Sequence, residues 1–249
     1  MKKFVAVLAM VGCFAAFATS AFALETSADV YGYVVDKYLW RGVDINDSET
    51  ALQAGMDVSF GGFTVSYWTN TDLTGVESDN TIETDIVVDY TFSPSDMLSV
   101  SVGDIYYTFG AGSSTHEAYL GLGLDTMLAP SFTVYYDYDD ASSADLDGLY
   151  YSLAVGHDVD LAEGLSLSVG AAINYSQESP YVAAIVPVAG GVFDDFSTAD
   201  LSAGIAYTVT DQISVDASYT YFYVVGDDAE DIGLLDDEGY VSVGATLAF

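Results

Sequence analysis

From residue 28 to the end of the chain, apolar and polar residues alternate in short blocks, the pattern of strands with one oily and one wet face. Leu52, Ala54, Met56, Val58 and Phe60 alternate with Gln53, Gly55, Asp57 and Ser59. Leu165, Leu167, Val169, Ala171, Ile173 and Tyr175 do so with Ser166, Ser168, Gly170, Ala172 and Asn174. Twelve such segments are predicted, over 28–40, 50–60, 63–70, 81–92, 97–109, 115–125, 131–139, 148–158, 165–175, 197–209, 212–225 and 239–249. Most have the roughly 9–11 residues with which a tilted strand crosses a bilayer. The fifth changes phase. Leu98, Val100 and Val102 hold one parity and Ile105, Tyr107 and Phe109 the other, which predicts a bulge near Gly103 and Asp104. Past residue 23 no uncharged stretch suits a membrane helix: the best candidate, Pro180 to Phe193, is short and holds Pro180 and Pro187.

The connectors alternate too. Those after even strands are short, such as Gly61-Gly62 and Thr210-Asp211. Most of those after odd strands are longer and acidic, over 41–49, 71–80, 140–147, 176–196 and 226–238, with 110–114 the exception. That asymmetry belongs to an outer-membrane barrel with both termini in the periplasm. A soluble β-sandwich would alternate as well, but it would bury its apolar faces in one shared core. Here the strands end in rings on their apolar side, among them Phe60, Phe63, Tyr90, Phe92, Phe132, Tyr136, Tyr138, Tyr175, Tyr207 and Tyr223. Two membrane–water interfaces select that placement. The expected fold class is therefore all-β: a transmembrane antiparallel β-barrel of about 12 strands, with short periplasmic turns and longer acidic extracellular loops. In the last strand Val241, Val243, Ala245 and Leu247 lead in phase to a terminal Phe249. This ending marks Phe249 as a candidate assembly signal and the β-barrel assembly machinery as an expected partner.

Charge narrows the function classes. The chain has 38 Asp+Glu against 4 Lys+Arg, a formal charge of −34. Such a surface repels phosphate backbones and excludes nucleic acid as a partner. A composition 51% hydrophobic and 14% aromatic excludes a disordered tail. Residues 1–23 read as a secretory signal: Lys2 and Lys3 form the positive n-region, Phe4 to Ala18 the apolar stretch, and Ala21-Phe22-Ala23 the cleavage site. Residues 24–249 are then one barrel domain. The only cysteine, Cys13, lies in the leader, so disulfide and thiol chemistry are not expected of the mature chain.

The stretch Tyr38-Leu39-Trp40-Arg41-Gly42-Val43, followed by Ala51-Leu52-Gln53 and then Phe63-Thr64-Val65-Ser66-Tyr67-Trp68, resembles the TorF family of porins. The later Tyr-rich strands and the aromatic C-terminus also fit, so the resemblance runs over the mature chain. It implies an outer-membrane β-barrel with channel activity. It brings no catalytic residues and no assigned substrate.

By parity the inward positions are small or acidic, and the expected pore-lining set includes Asp57, Trp68, Glu83, Asp85, Asp89, Glu117, Asp137, Asp200 and Asp216. Polar residues fill any wet barrel. Carboxylates along a narrow, low-dielectric passage would in addition attract cations and repel anions. Lys37 and Arg41 are the only cations after the leader. Four apart in an extended segment, they would share one face: a lumenal placement would pair them with Glu83, Asp85 or Glu117 and set a constriction, and a lipid-side one would take them to headgroup phosphates. Loop 176–196, with Ala183, Ala184, Ile185 and Val186, is long enough to fold inward. The acidic run from Asp227 to Glu238 has Ala229 and Ile232 where an EF-hand loop needs a ligand and a glycine, so diffuse screening by divalent ions is expected there, with no dedicated metal site. Ser114 and His116 sit two apart, but without a visible orienting residue they do not make a hydrolase. No cofactor is expected. The function implied is passive diffusion of small cationic or neutral solutes through an outer-membrane pore in a Gram-negative envelope, surrounded by outer-membrane lipid. The alternative is a non-conducting barrel with a structural or surface-interaction role.

Overall fold

The computed structural model describes residues 26–73, 82–110, 114–138, 148–179, 193–227, 229 and 235–249. The chain opens with β1 (Thr26–Val35), two short strands β2 (Leu39–Trp40) and β3 (Val43–Asp44), then β4 (Ala51–Phe60) and β5 (Phe63–Asp72). It continues through β6 (Glu83–Ser95), β7 (Leu98–Phe109), β8 (Ser114–Leu124), β9 (Ser131–Asp137) and β10 (Gly148–Ala162). The last four strands are β11 (Leu165–Ser179), β12 (Phe193–Thr208), β13 (Ile213–Val224) and β14 (Glu238–Ala248). Twelve of these form a closed barrel, with β2 and β3 a separate two-stranded sheet. Each neighbouring pair is antiparallel, and β1 closes the ring by pairing with both β4 and β14, as Tyr33 does with Gln53 and Gly244. Closure leaves no open edge, the condition for strands to lie in lipid.

The alternation becomes two faces. Outward-facing Met56, Ile86, Val102, Leu120, Leu153, Leu201 and Val243 stay exposed, Leu201 at 59% and Val243 at 54%. In water so much apolar surface would be an aggregation hazard; around a barrel it is the lipid-facing wall. Aromatic rings rim both ends. Near the short turns Phe60, Phe63, Tyr90 and Phe92 form a run with successive centroid distances of 5.7, 4.5 and 5.9 Å. Near the long loops Tyr151, Tyr175 and Phe196 follow at 6.2 and 5.1 Å. Pro94 falls where the β6–β7 register shifts between Phe92 and Ser95, a position where its missing N–H costs nothing.

Two expectations are corrected. The first strand ends at Val35, not at residue 40, and the chain then turns inward. The bulge near Gly103 and Asp104 is absent: the register runs unbroken through Val87↔Ile105, Val88↔Asp104 and Asp89↔Gly103, and across to β8. The change of phase has another cause. Leu98, Val100 and Val102 face out, whereas Ile105 and Tyr107 face in, lining an interior cavity against residues of the inward-turned segment. Asp104 is left facing outward, where Tyr138 donates its hydroxyl at 2.5 Å and His116 Nδ1 lies 2.8 Å from the other oxygen. The predicted leader, residues 1–23, lies outside the described residues.

Candidate functional site at the barrel mouth

Residues 36–50 fold into the mouth at the long-loop end. Val35, Tyr38, Leu39 and Val43 are at most 7% exposed, so the best-buried apolar side chains of the molecule include this loop rather than only the barrel wall. Val43 packs with Tyr150, Val224, Ala229 and Leu235, with Trp40, Ile45 and Tyr135 against the cluster. Val43 also bridges Leu235 of the last loop. A short hairpin of β2 and β3 carries the inserted tip, and Asn46 holds its base. The Asn46 side-chain Oδ1 accepts from the Tyr38 N–H at 2.9 Å, and its Nδ2 donates to Asp72 Oδ1 and to the Glu49 backbone carbonyl. Two backbone groups of the loop, the Tyr38 N–H and the Glu49 carbonyl, thus find partners away from bulk water.

The turn of that hairpin is Arg41-Gly42, both with positive φ (52° and 86°). At Gly42 the geometry demands glycine twice over. A side chain there would be strained, and its Cβ would stand 2.8 Å from Thr198 Cγ2. Gly42→Ala is therefore expected to cost about 1–3 kcal/mol of loop docking. The check is amide hydrogen exchange, which should rise in residues 36–50 and stay unchanged in β6 and β7.

Arg41 is the centre of the site. Its Nη1 and Nη2 donate to Glu117 Oε1 and Oε2 at 2.9 and 2.7 Å, a two-pronged pair from the loop tip to β8. Tyr107 adds its hydroxyl to Glu117 Oε2 at 2.9 Å. The guanidinium lies 4.0 Å from the Tyr150 ring centre, 4.5 Å from Trp40 and 4.8 Å from Tyr135. Burial alone would pull the Arg41 proton affinity down, but the Glu117 carboxylate outweighs it and holds the group above its ordinary value. Lys37 goes elsewhere. Its Nζ donates to Glu238 at 2.7 Å, and that hydrogen bond raises its pKa. The expectation that Lys37 and Arg41 share one extended face is thus overturned, because the chain leaves the strand before either residue.

The remaining acidic positions are distributed around the interior. Glu83 and Glu117 are nearly inaccessible, at 3% and 5% exposure. Asp137 accepts from Thr115 at 2.8 Å and Asp200 from Asn174 at 2.7 Å. Tyr119 donates to Asp89 at 2.7 Å and Tyr33 to Asp216 at 3.0 Å. Trp68 stacks obliquely on Tyr38 of the loop, 5.6 Å between centres. Asp57 faces inward from β4, opposite Asp29 and Ser66. Loop 176–196, named as the candidate constriction, falls largely outside the described residues, as does half of the run from Asp227 to Glu238. Sequence reasoning missed Tyr38, Asn46, Tyr107, Tyr135 and Tyr150. The available signal was Tyr38-Leu39 with Val43 and Ile45, apolar residues in a stretch otherwise read as strand end and acidic loop.

Neither a family model nor a curated protein matches the chain. Solved structures do. The porin NanC, 17% identical, covers 88% of this chain and 98% of its own with a TM-score of 0.52. LpxR from Salmonella typhimurium, 9% identical, covers 88% and 99% with a TM-score of 0.51. The fold is that of the outer-membrane β-barrels. At these identities the likeness is one of architecture, and the chemistry of this barrel has to come from its own residues.

Proposed function

We propose that this chain is a porin-like channel of the outer membrane, a member of the TorF family it resembles, passing small solutes by diffusion and preferring cations. The observation that carries the reading is the charge inside the ring. Asp57, Glu83, Asp85, Asp89, Glu117, Asp137, Asp200 and Asp216 take inward positions, and Arg41 is the cation set among them, already bound to Glu117. A carboxylate-lined, narrow interior lowers the energy of a cation and raises that of an anion. NanC, called a porin, has this architecture, which supports the channel over a purely structural barrel. We read the Asp104–His116–Tyr138 group as satisfying a carboxylate on the lipid face rather than as catalytic machinery, and the protein as no enzyme. Phe249, whose N–H donates to the Ala28 carbonyl at 2.8 Å beside the barrel seam, is proposed as the feature read by the assembly machinery.

The test is conductance in planar bilayers under a tenfold KCl gradient. The expected result is discrete channels whose reversal potential has the sign of potassium permeation. Channels with no ion preference would remove the cation reading. A correctly folded barrel that never conducts would remove the channel and leave the structural role.

A further inference from the structure

Beneath the docked loop the barrel holds a cavity of about 280 Å³. Its walls include Tyr38 and Trp40 from the loop, Trp68 from β5, Tyr107 from β7 and Asp85 from β6. With Tyr240 of β14 that makes five aromatic residues and one carboxyl group, an unusual lining for a passage that only has to be wet. The rings are braced against each other, Tyr38 on Trp68 at 5.6 Å and Trp40 against Tyr107 at 6.4 Å. Asp85 Oδ1 is buried with no hydrogen-bond partner among the described residues. Nor does either nearby cation serve it: Lys37, which also lines the cavity, gives its Nζ to Glu238, and Arg41 is taken by Glu117. The cavity therefore presents a carboxyl group with one oxygen unpaired, beside electron-rich rings.

The geometry points to a binding site for a small organic cation of the quaternary-ammonium class, with Asp85 as counter-ion and Trp40, Trp68, Tyr38 and Tyr107 as the aromatic box. A strongly hydrated sodium or potassium ion gains little from ring faces. An alkylammonium group carries its charge on apolar methyls and gains from both wall types. The volume is at the small end of ligand pockets and suits a cation of a few heavy atoms. The cavity lies inside the barrel, so the occupant is a free solute rather than a lipid headgroup. The inference deepens the channel reading by naming a solute class, and rests on it only for the route by which the solute arrives.

The chain supplies its own reporter, because Trp40 and Trp68 are its only two tryptophans and both line the cavity. The mature barrel folded in detergent micelles is titrated with choline chloride at constant ionic strength, with NaCl and the neutral isostere 3,3-dimethylbutan-1-ol as controls. The expected result is a saturable change in tryptophan emission with choline alone, weakened about tenfold or more in Asp85→Asn. Should that variant fail to fold, Trp68→Leu removes one wall and leaves Trp40 to report, and affinity is again expected to fall. No saturable signal, an unchanged response in Asp85→Asn, or an equal response to the neutral alcohol would each overturn the site. Conductance in KCl is measured separately. A barrel that conducts potassium but does not respond to choline loses the site and keeps the channel, and one that binds choline without conducting loses the channel and keeps the site.

Discussion

Arg41→Ala is expected to raise single-channel conductance several-fold and to make the channel more cation-selective. Two consequences of one substitution act in the same direction. The loop tip loses its two-pronged hold on Glu117 and its contacts with the Tyr135 and Tyr150 rings. Glu117, whose side chain is 6% exposed, is then left charged and unpaired while the loop stays docked. Removing one partner of a buried pair costs about 3–5 kcal/mol, mainly the cost of the charge left behind. Undocking restores water to Glu117, so the loop swings toward the open arrangement by roughly a hundredfold or more. An open mouth is wider, and it bares a carboxylate previously neutralised. Arg41→Lys keeps the charge but not the fork or the ring stacking, and should fall between. Glu117→Gln should also loosen the loop, without the gain in selectivity. Current recordings with reversal potentials on the three variants decide the matter. If Arg41→Ala conducts like the parent barrel, loop 36–50 does not restrict the passage.

That prediction rests on a feature only half legible in the sequence. Period-two patterning located all twelve barrel strands, because lipid outside and water inside impose opposite demands on successive residues. It failed where a residue answers to neither medium. Ile105 and Tyr107 are apolar yet face inward, since residues of a loop folded into the lumen stand across the cavity from them. A parity rule has no third category, and so it asks for a bulge. Residues 36–40 look like more strand for a related reason: Tyr38 and Leu39 are as apolar as strand residues, but they are buried by the mouth of their own barrel. The Arg41–Glu117 pair was among the three pairings the charges allowed. The choice among Glu83, Asp85 and Glu117 is made by the turn at Gly42, whose direction is a matter of three-dimensional closure. The three-sided ring contact on Arg41 draws on β9, β10 and the loop itself, and no spacing along the chain announces it.

Leu201→Arg is expected to cost the barrel wall a large part of its stability in a membrane, even though Leu201 is 59% exposed and nearly any folded protein in water would tolerate it. Leu201 lies in the middle of β12, paired with Ala171 and Tyr221, and faces outward. In water an exposed leucine changed to arginine is neutral or solubilising. In hydrocarbon the guanidinium must be dragged from its hydration shell, at about 2–4 kcal/mol near the bilayer midplane. That shifts the folding equilibrium by roughly thirtyfold to several-hundredfold. Ser202, the next residue, points into the barrel beside Gly170, so an arginine there stays hydrated and the fold should survive. It would instead add a positive charge to an acidic interior and draw the reversal potential toward zero. Urea titration of both variants in lipid vesicles, followed by tryptophan emission, separates the two faces of one strand by a single residue. Equal stability of Leu201→Arg and the parent would mean that this wall meets water, and the barrel would have to be read as a soluble one.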